Sequence, residues 1–193
     1  LAHAHDLQIG GIHLGLVHGD VKPSNVLIDH SGVPKVIDFG ASQCSSDEGI
    51  PVEQDSSFGT PSYLSPEQAL GALIDRRSDL FSMATLAYEV VTGKRLFGPS
   101  NTVRNAADTG TLAAITRKAS EEVESLVPGL GSILRGCWSE LPEQRFSSAQ
   151  AVSAALAAIQ LDSVDSPSLA ECIHQGSDLD THDVGIESTV PLH

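Results

Sequence analysis

Residues 18–40 read HGDVKPSNVLIDHSGVPKVIDFG, two acid-bearing loops separated by a short hydrophobic hairpin. NVLID and PKVID are brief Val- and Ile-rich runs bounded by turn residues, a pattern that predicts small strands. The segment therefore crowds Asp20, Lys22, Asn25 and Asp38 together among apolar neighbours. Two carboxylates, an amide and an ammonium make a poor core, but they suit a metal-bound phosphate. Magnesium takes hard oxygen ligands, usually one or two from protein and the rest from phosphate and water. For Asp20, Asn25 or Asp38 taken singly, a turn residue is the simpler reading.

The 193 residues can build one ordinary domain, and 40% hydrophobic content is enough for a core. Eleven Lys and Arg against 25 Asp and Glu, a formal charge of -14, disfavour nucleic acid and anionic membrane as partners of the whole surface. A bound nucleotide would need a local cation and a metal. Cys44, Cys137 and Cys172 are odd in number and widely spaced, which argues against a disulfide framework or a zinc site and for a reducing, cytoplasmic compartment. The start LAHAHDLQIGGIHLG lacks a basic leader, and the apolar stretch AVSAALAAIQL is too short to span a bilayer, so no membrane segment is expected. Leu1 in place of Met points to a piece of something longer.

Leu1 to about Leu7 are expected to end a helix, QIGGIHLG to form a loop, and GLVHG a short strand. From Ser42 to about Thr60 the chain is polar and predicts a long mobile surface loop. Helical spacing appears in PEQALGAL, in SDLFSMATLAYEVVTG with Gly93 as a stop, in GLGSILRGCWSE and in SSAQAVSAALAAIQ. The expected fold is mainly α with short β-hairpins. After Leu161 the chain carries seven acids and no Lys or Arg, so residues 161–193 are expected to be a disordered acidic tail beyond a domain spanning residues 1–160.

Five ordered blocks resemble the eukaryotic-type protein serine/threonine kinases found in many bacteria. His18, Asp20, Lys22 and Asn25 in HGDVKPSN resemble the catalytic loop, and Asp38, Phe39 and Gly40 the metal-binding DFG. Ser65, Pro66 and Glu67 in GTPSYLSPE resemble the end of the activation segment, Asp79 the buried acid of the large central helix, and Arg145 the partner of Glu67. The resemblance implies a protein-kinase-like fold and transfer of the ATP γ-phosphoryl group to protein Ser or Thr hydroxyls. It gives Asp20 the substrate proton and Lys22 the transferred phosphoryl group. It gives Asn25 and Asp38 the Mg2+ between the phosphates. Thr60 resembles the threonine that ties Asp20 to Lys22 in serine/threonine-specific members. His18 is read as a packed scaffold residue and Phe39 as core. Asp79 is read as a helix cap and Arg145 as an ion-pair partner; His3 and His5, two apart, are not a metal pair.

The chain departs from that pattern in three places. Gly19 stands where many regulated kinases carry a phosphate-receiving Arg, although Ser45, Ser46, Ser56 and Ser57 could be modified. QIGGIHL adds about seven residues ahead of the catalytic loop. No GxGxxG loop, VAIK-like lysine or partner glutamate is found, so the expectation is a C-terminal (large) lobe only, its small lobe supplied by upstream sequence and the chain alone inactive. Two other readings remain: a small-molecule phosphotransferase of the aminoglycoside or choline kinase type, where His usually replaces Lys22, and a non-catalytic kinase-like binding module.

Overall fold

One long helix organises the molecule in the computed structural model, which describes residues 1–39, 43–44, 60–98 and 102–159. This helix, α3, spans Arg76–Thr92. The Asp75 carboxylate starts it by accepting the Arg77 amide at 2.7 Å, and Gly93 stops it in the left-handed region at φ 69°. Its apolar residues Leu80, Phe81, Ala84 and Tyr88 are buried, and so are Ser78, Asp79, Ser82 and Thr85. Buried hydroxyls must be bonded. Ser82 donates to the Tyr63 carbonyl at 2.7 Å, and Thr85 donates to the Phe81 carbonyl while accepting the Trp138 indole at 3.1 Å.

Around α3 lie α4 (Val103–Asp108), α5 (Leu112–Leu126), α6 (Leu130–Cys137) and α7 (Ala149–Ala157), with the short α2 (Pro66–Leu70) ahead of it. Of these helices, α4 and α5 are additional to those expected from the sequence. The buried face of α5 consists of Leu112, Thr116, Ala119, Ser120 and Val123, with Ile115 half-buried beside it, so an apolar helical period of Leu112, Ile115, Ala119 and Val123 is present in the sequence. Glu124 of α5 also caps α6, accepting the Gly129 and Ser132 amides at 2.7 and 3.2 Å. The two helices touch closely at Gly131, where an added Cβ would lie 2.1 Å from the Ser120 carbonyl oxygen. Gly131→Ala is therefore expected to force the helices apart and cost about 1–3 kcal/mol, measurable as a lower urea midpoint.

The strands form three antiparallel pairs. β1 (Gln8–Ile9) pairs with β2 (Ile12–His13), β3 (Leu16–Val17) with β6 (Gln43–Cys44), and β4 (Val26–Ile28) with β5 (Pro34–Val36). A one-turn helix, α1 (Ala2–His5), precedes them. QIGGIHLG is thus a hairpin and not a loop: Gly10 and Gly11 both take positive φ, the conformation of a tight two-residue hairpin turn. Within the expected 42–60 loop, Gln43 and Cys44 pair with β3. The rest of that loop up to Gly59, with Ser45, Ser46, Ser56 and Ser57, and the tail from Gln160 lie outside the described residues. The β4–β5 turn is closed by Asp29, whose carboxylate accepts the Ser31 and Val33 amides; the Lys35 ammonium and those amides hold it down at about 2.

Candidate active site

β3 delivers the chain to residues 18–20 through Val17, which is fully buried. Three successive backbone amides are then held in place. The Asp79 carboxylate accepts the His18 amide on Oδ2 and the Gly19 amide on Oδ1, both at 2.8 Å. The Asp20 amide donates to His18 Nδ1 at 3.2 Å, which leaves the proton on His18 Nε2 to donate to the Ile37 carbonyl at 3.0 Å. His18 is thus the packed scaffold residue expected, linking loop 18–20 to loop 37–39. Asp79 does not cap its own helix. Asp75 does that, because Asp79 sits a full turn inside α3 and faces the incoming loop. The third partner of Asp79 is the buried His5, at 2.8 Å.

The Asp20 carboxylate gathers three donors. Lys22 Nζ is 2.6 Å from Oδ2, Asn25 Nδ2 is 3.1 Å from the same oxygen, and the Thr60 amide is 3.1 Å from Oδ1. The described tie between Thr60 and Asp20 is the backbone amide. Asn25 closes a short 3-10 turn, Pro23–Asn25, and its Nδ2 also donates to the Asp20 carbonyl at 2.8 Å. Both bonds use nitrogen, so Oδ1 is the atom on offer to a cation.

The β4–β5 register explains why Asp38 lies near this group. Val26 pairs with Val36, and the Ile37 amide donates to the Asn25 carbonyl at 2.9 Å, so Asn25 and Asp38 stand at the same open end of the hairpin. Asp38 is exposed and has φ 62°, the one non-glycine positive φ among the described residues. Such a conformation costs about 1–3 kcal/mol and collects at functional sites. Among the described residues no group of three or more His, Cys, Asp or Glu could hold a metal. An Asn carbonyl and an Asp carboxylate instead fit an ion that takes its remaining ligands from phosphate and water. Phe39 is 38% exposed and not core; its ring meets that of His18 edge to face, centroids 4.6 Å apart. Gly40 lies outside the described residues.

Forty residues beyond Asp20 the chain returns at Thr60 and closes on α2, whose Ser65–Gln68 capping box and N1 proline explain the SPEQ run. Glu67 then meets Arg145 through two parallel bonds of 2.7 Å. All five guanidinium N–H groups are used, the other three by the carbonyls of Arg77, Ser139 and Glu140. The Ser78 hydroxyl adds a 2.6 Å bond to Glu67. Burial alone would raise the Glu67 carboxyl, but the Arg145 fork and the Ser78 hydroxyl outweigh it and hold it below its ordinary value.

The structure brings Asp20, Lys22, Asn25 and Thr60 into direct contact and keeps Glu67, Asp79 and Arg145 as supports. Two buried groups were missed. Gln68 was visible only as the fourth residue of a capping box, and His5 only as a helical histidine. Their partners, Gly19 and Asp79, are 49 and 74 positions away. The QIGGIHL hairpin leaves the site intact because the Leu14 amide donates to the Leu7 carbonyl at 2.9 Å, closing the insertion at its base.

The sequence model of the protein kinase domain matches residues 9–156. The serine/threonine-protein kinase PknB of Mycobacterium tuberculosis (strain ATCC 25618 / H37Rv) is 36% identical over 143 residues, 74% of this chain and 22% of the relative. Serine/threonine-protein kinase PrkC of Bacillus subtilis (strain 168) is 34% identical over 154 residues, 80% of this chain and 22% of the relative. The chain spans about a fifth of the length of these two relatives.

Proposed function

Because the chain belongs to the protein kinase domain family, we propose that it supplies the catalytic loop and metal-binding face of a protein serine/threonine kinase that uses ATP and Mg2+. The observation that carries this reading is the Asp20 cluster. One carboxylate is oriented by a cation, an amide side chain and a backbone N–H, beside a hairpin end that offers two oxygen ligands.

In this reading Asp20 accepts or orients the proton of a Ser or Thr hydroxyl, and Lys22, 2.6 Å away, lends positive charge to the moving phosphoryl group. Asn25 Oδ1 and the Asp38 carboxylate would hold Mg2+, which when bound would supply charge neutralisation to the phosphates. Catalysis is then mostly positioning, and the Asp79, His18 and Glu67–Arg145 supports serve that purpose.

Small-molecule phosphotransfer is the second reading. Lys22 and the clamped SPE segment favour a protein acceptor instead. No helix among the described residues is long and apolar enough to cross a membrane.

The test uses these residues extended upstream by a kinase small lobe. Radiolabelled ATP is offered with a generic basic protein, or with an aminoglycoside or choline, and phosphoamino acids are analysed. Label on Ser and Thr is expected; label confined to the small molecules, or none at all, would overturn the reading. In the same form Asp38→Ala should weaken Mg2+-dependent ATP binding by more than the roughly ten- to hundredfold lost when a residue that merely orients a metal ligand is removed, and leave metal-free binding unchanged. Equal binding in the variant would remove Asp38 from the ligand set.

A further inference from the structure

The residue before Asp20 is a glycine at φ 78°, in the left-handed region, where the backbone is most permissive. A mobile peptide there would let the Asp20 carboxylate swing. Each peptide group around it is nevertheless fixed. The Gly19 N–H is taken by Asp79, and the Asp20 N–H by His18. The one carbonyl between them, that of Gly19, accepts a 2.7 Å bond from Gln68 Nε2.

Gln68 is itself buried and immobilised. Its Oε1 accepts both the amide and the hydroxyl of Ser65, at 3.0 and 3.1 Å, so the side chain spans the gap between the end of the SPE segment and the catalytic loop. The neighbouring Glu67 is locked to Arg145, so the helix carrying Gln68 cannot drift.

We propose that Gln68 is a positioning residue for phosphoryl transfer: by holding the Gly19 carbonyl it fixes the plane of the Gly19–Asp20 peptide and the aim of the Asp20 carboxylate. Closure of the SPE segment and alignment of the base are then one event. This inference rests on the kinase reading above. Without Gln68, the plane is held from the N–H side only, and Asp20 samples orientations that miss the substrate hydroxyl; displacements of about 1 Å cost on the order of a hundredfold in rate.

Two variants separate this role from mere stability. Gln68→Glu keeps the acceptor for Ser65 but has no N–H to donate, and Gln68→Met removes both functions without adding charge. The first measurement uses the 193-residue chain itself and follows hydrogen exchange. In both variants the His18–Asp20 amides are expected to exchange faster while the middle of α3 keeps its protection. An equal rise everywhere, or no change at His18–Asp20, would overturn the proposal.

The second measurement uses the form carrying a small lobe. kcat should fall roughly ten- to a hundredfold while KM for ATP stays within about twofold. An unchanged kcat per folded molecule would make Gln68 structural only and also overturn the proposal. If the parent form transfers no phosphate while the exchange result holds, it is the kinase reading that fails and not the loop-locking by Gln68.

Discussion

Arg145→Ala is expected to destabilise the chain by about 3–5 kcal/mol, because it leaves the buried Glu67 carboxylate without its counter-charge. At roughly 2–4 °C per kcal/mol for a domain of this size, melting should fall by about 6–20 °C. The loss is compounded at the neighbouring carbonyls: Arg77, Ser139 and Glu140 each lose a charged donor. Arg145→Lys should recover little of it, since one ammonium cannot replace a two-pronged fork.

The pH dependence has a definite sign. The folded Glu67 carboxyl sits below its ordinary value of 4.5. Its contribution is therefore complete above that value and disappears as pH falls through the lower, folded one. The melting gap between parent and Arg145→Ala should thus be full at neutral pH and close in acid. Identical melting at neutral pH would show that the pair contributes nothing.

What could be read in advance followed the range of the interaction. Gly93 was legible as a helix stop because a left-handed terminus needs a glycine, a requirement met by one residue. The β4 and β5 strands were legible because their Val and Ile runs are bounded by turn residues. The pairing of Glu67 with Arg145, 78 positions apart, came from resemblance to a family, since nothing local in either segment specifies the other. Helix α5 was legible but not used: Leu112, Ile115, Ala119 and Val123 recur at helical spacing, and Thr116 and Ser120 are buried between them because each hydroxyl bonds a carbonyl one turn back along its own helix. Phe39 was misplaced by the general rule that large aromatics are inside, a rule that applies only where something covers the ring. The contact of Gln68 with Gly19 lay beyond any local signal. The capping role of Gln68 accounts for its presence in SPEQ, and its bond to Gly19 exists only once α2 is seated on the catalytic loop.

Asp20→Asn should reduce phosphoryl transfer by the form carrying a small lobe about 10²- to 10⁴-fold, the usual contribution of a positioned proton acceptor. The side chain keeps its size, and its remaining oxygen can still take the Thr60 amide, but the new NH2 then faces Lys22 and the Asn25 amide nitrogen. Three donors would converge where one acceptor stood, so Lys22 should leave for solvent and the phosphoryl group would lose its cation as well as its base. The folded core has little stake in the change: Asp20 is partly exposed at the loop surface, and the Asp79, His5 and His18 bonds hold the backbone without its carboxylate. Melting should therefore shift little, and KM for ATP should stay close to that of the parent because Asp38 is untouched and Asn25 keeps its bond to the backbone carbonyl of residue 20. Single-turnover rates with a radiolabelled nucleotide give the comparison. A loss of less than about tenfold would mean that Asp20 is not the proton acceptor. It would leave the cluster as a binding surface and favour the non-catalytic reading of the fold.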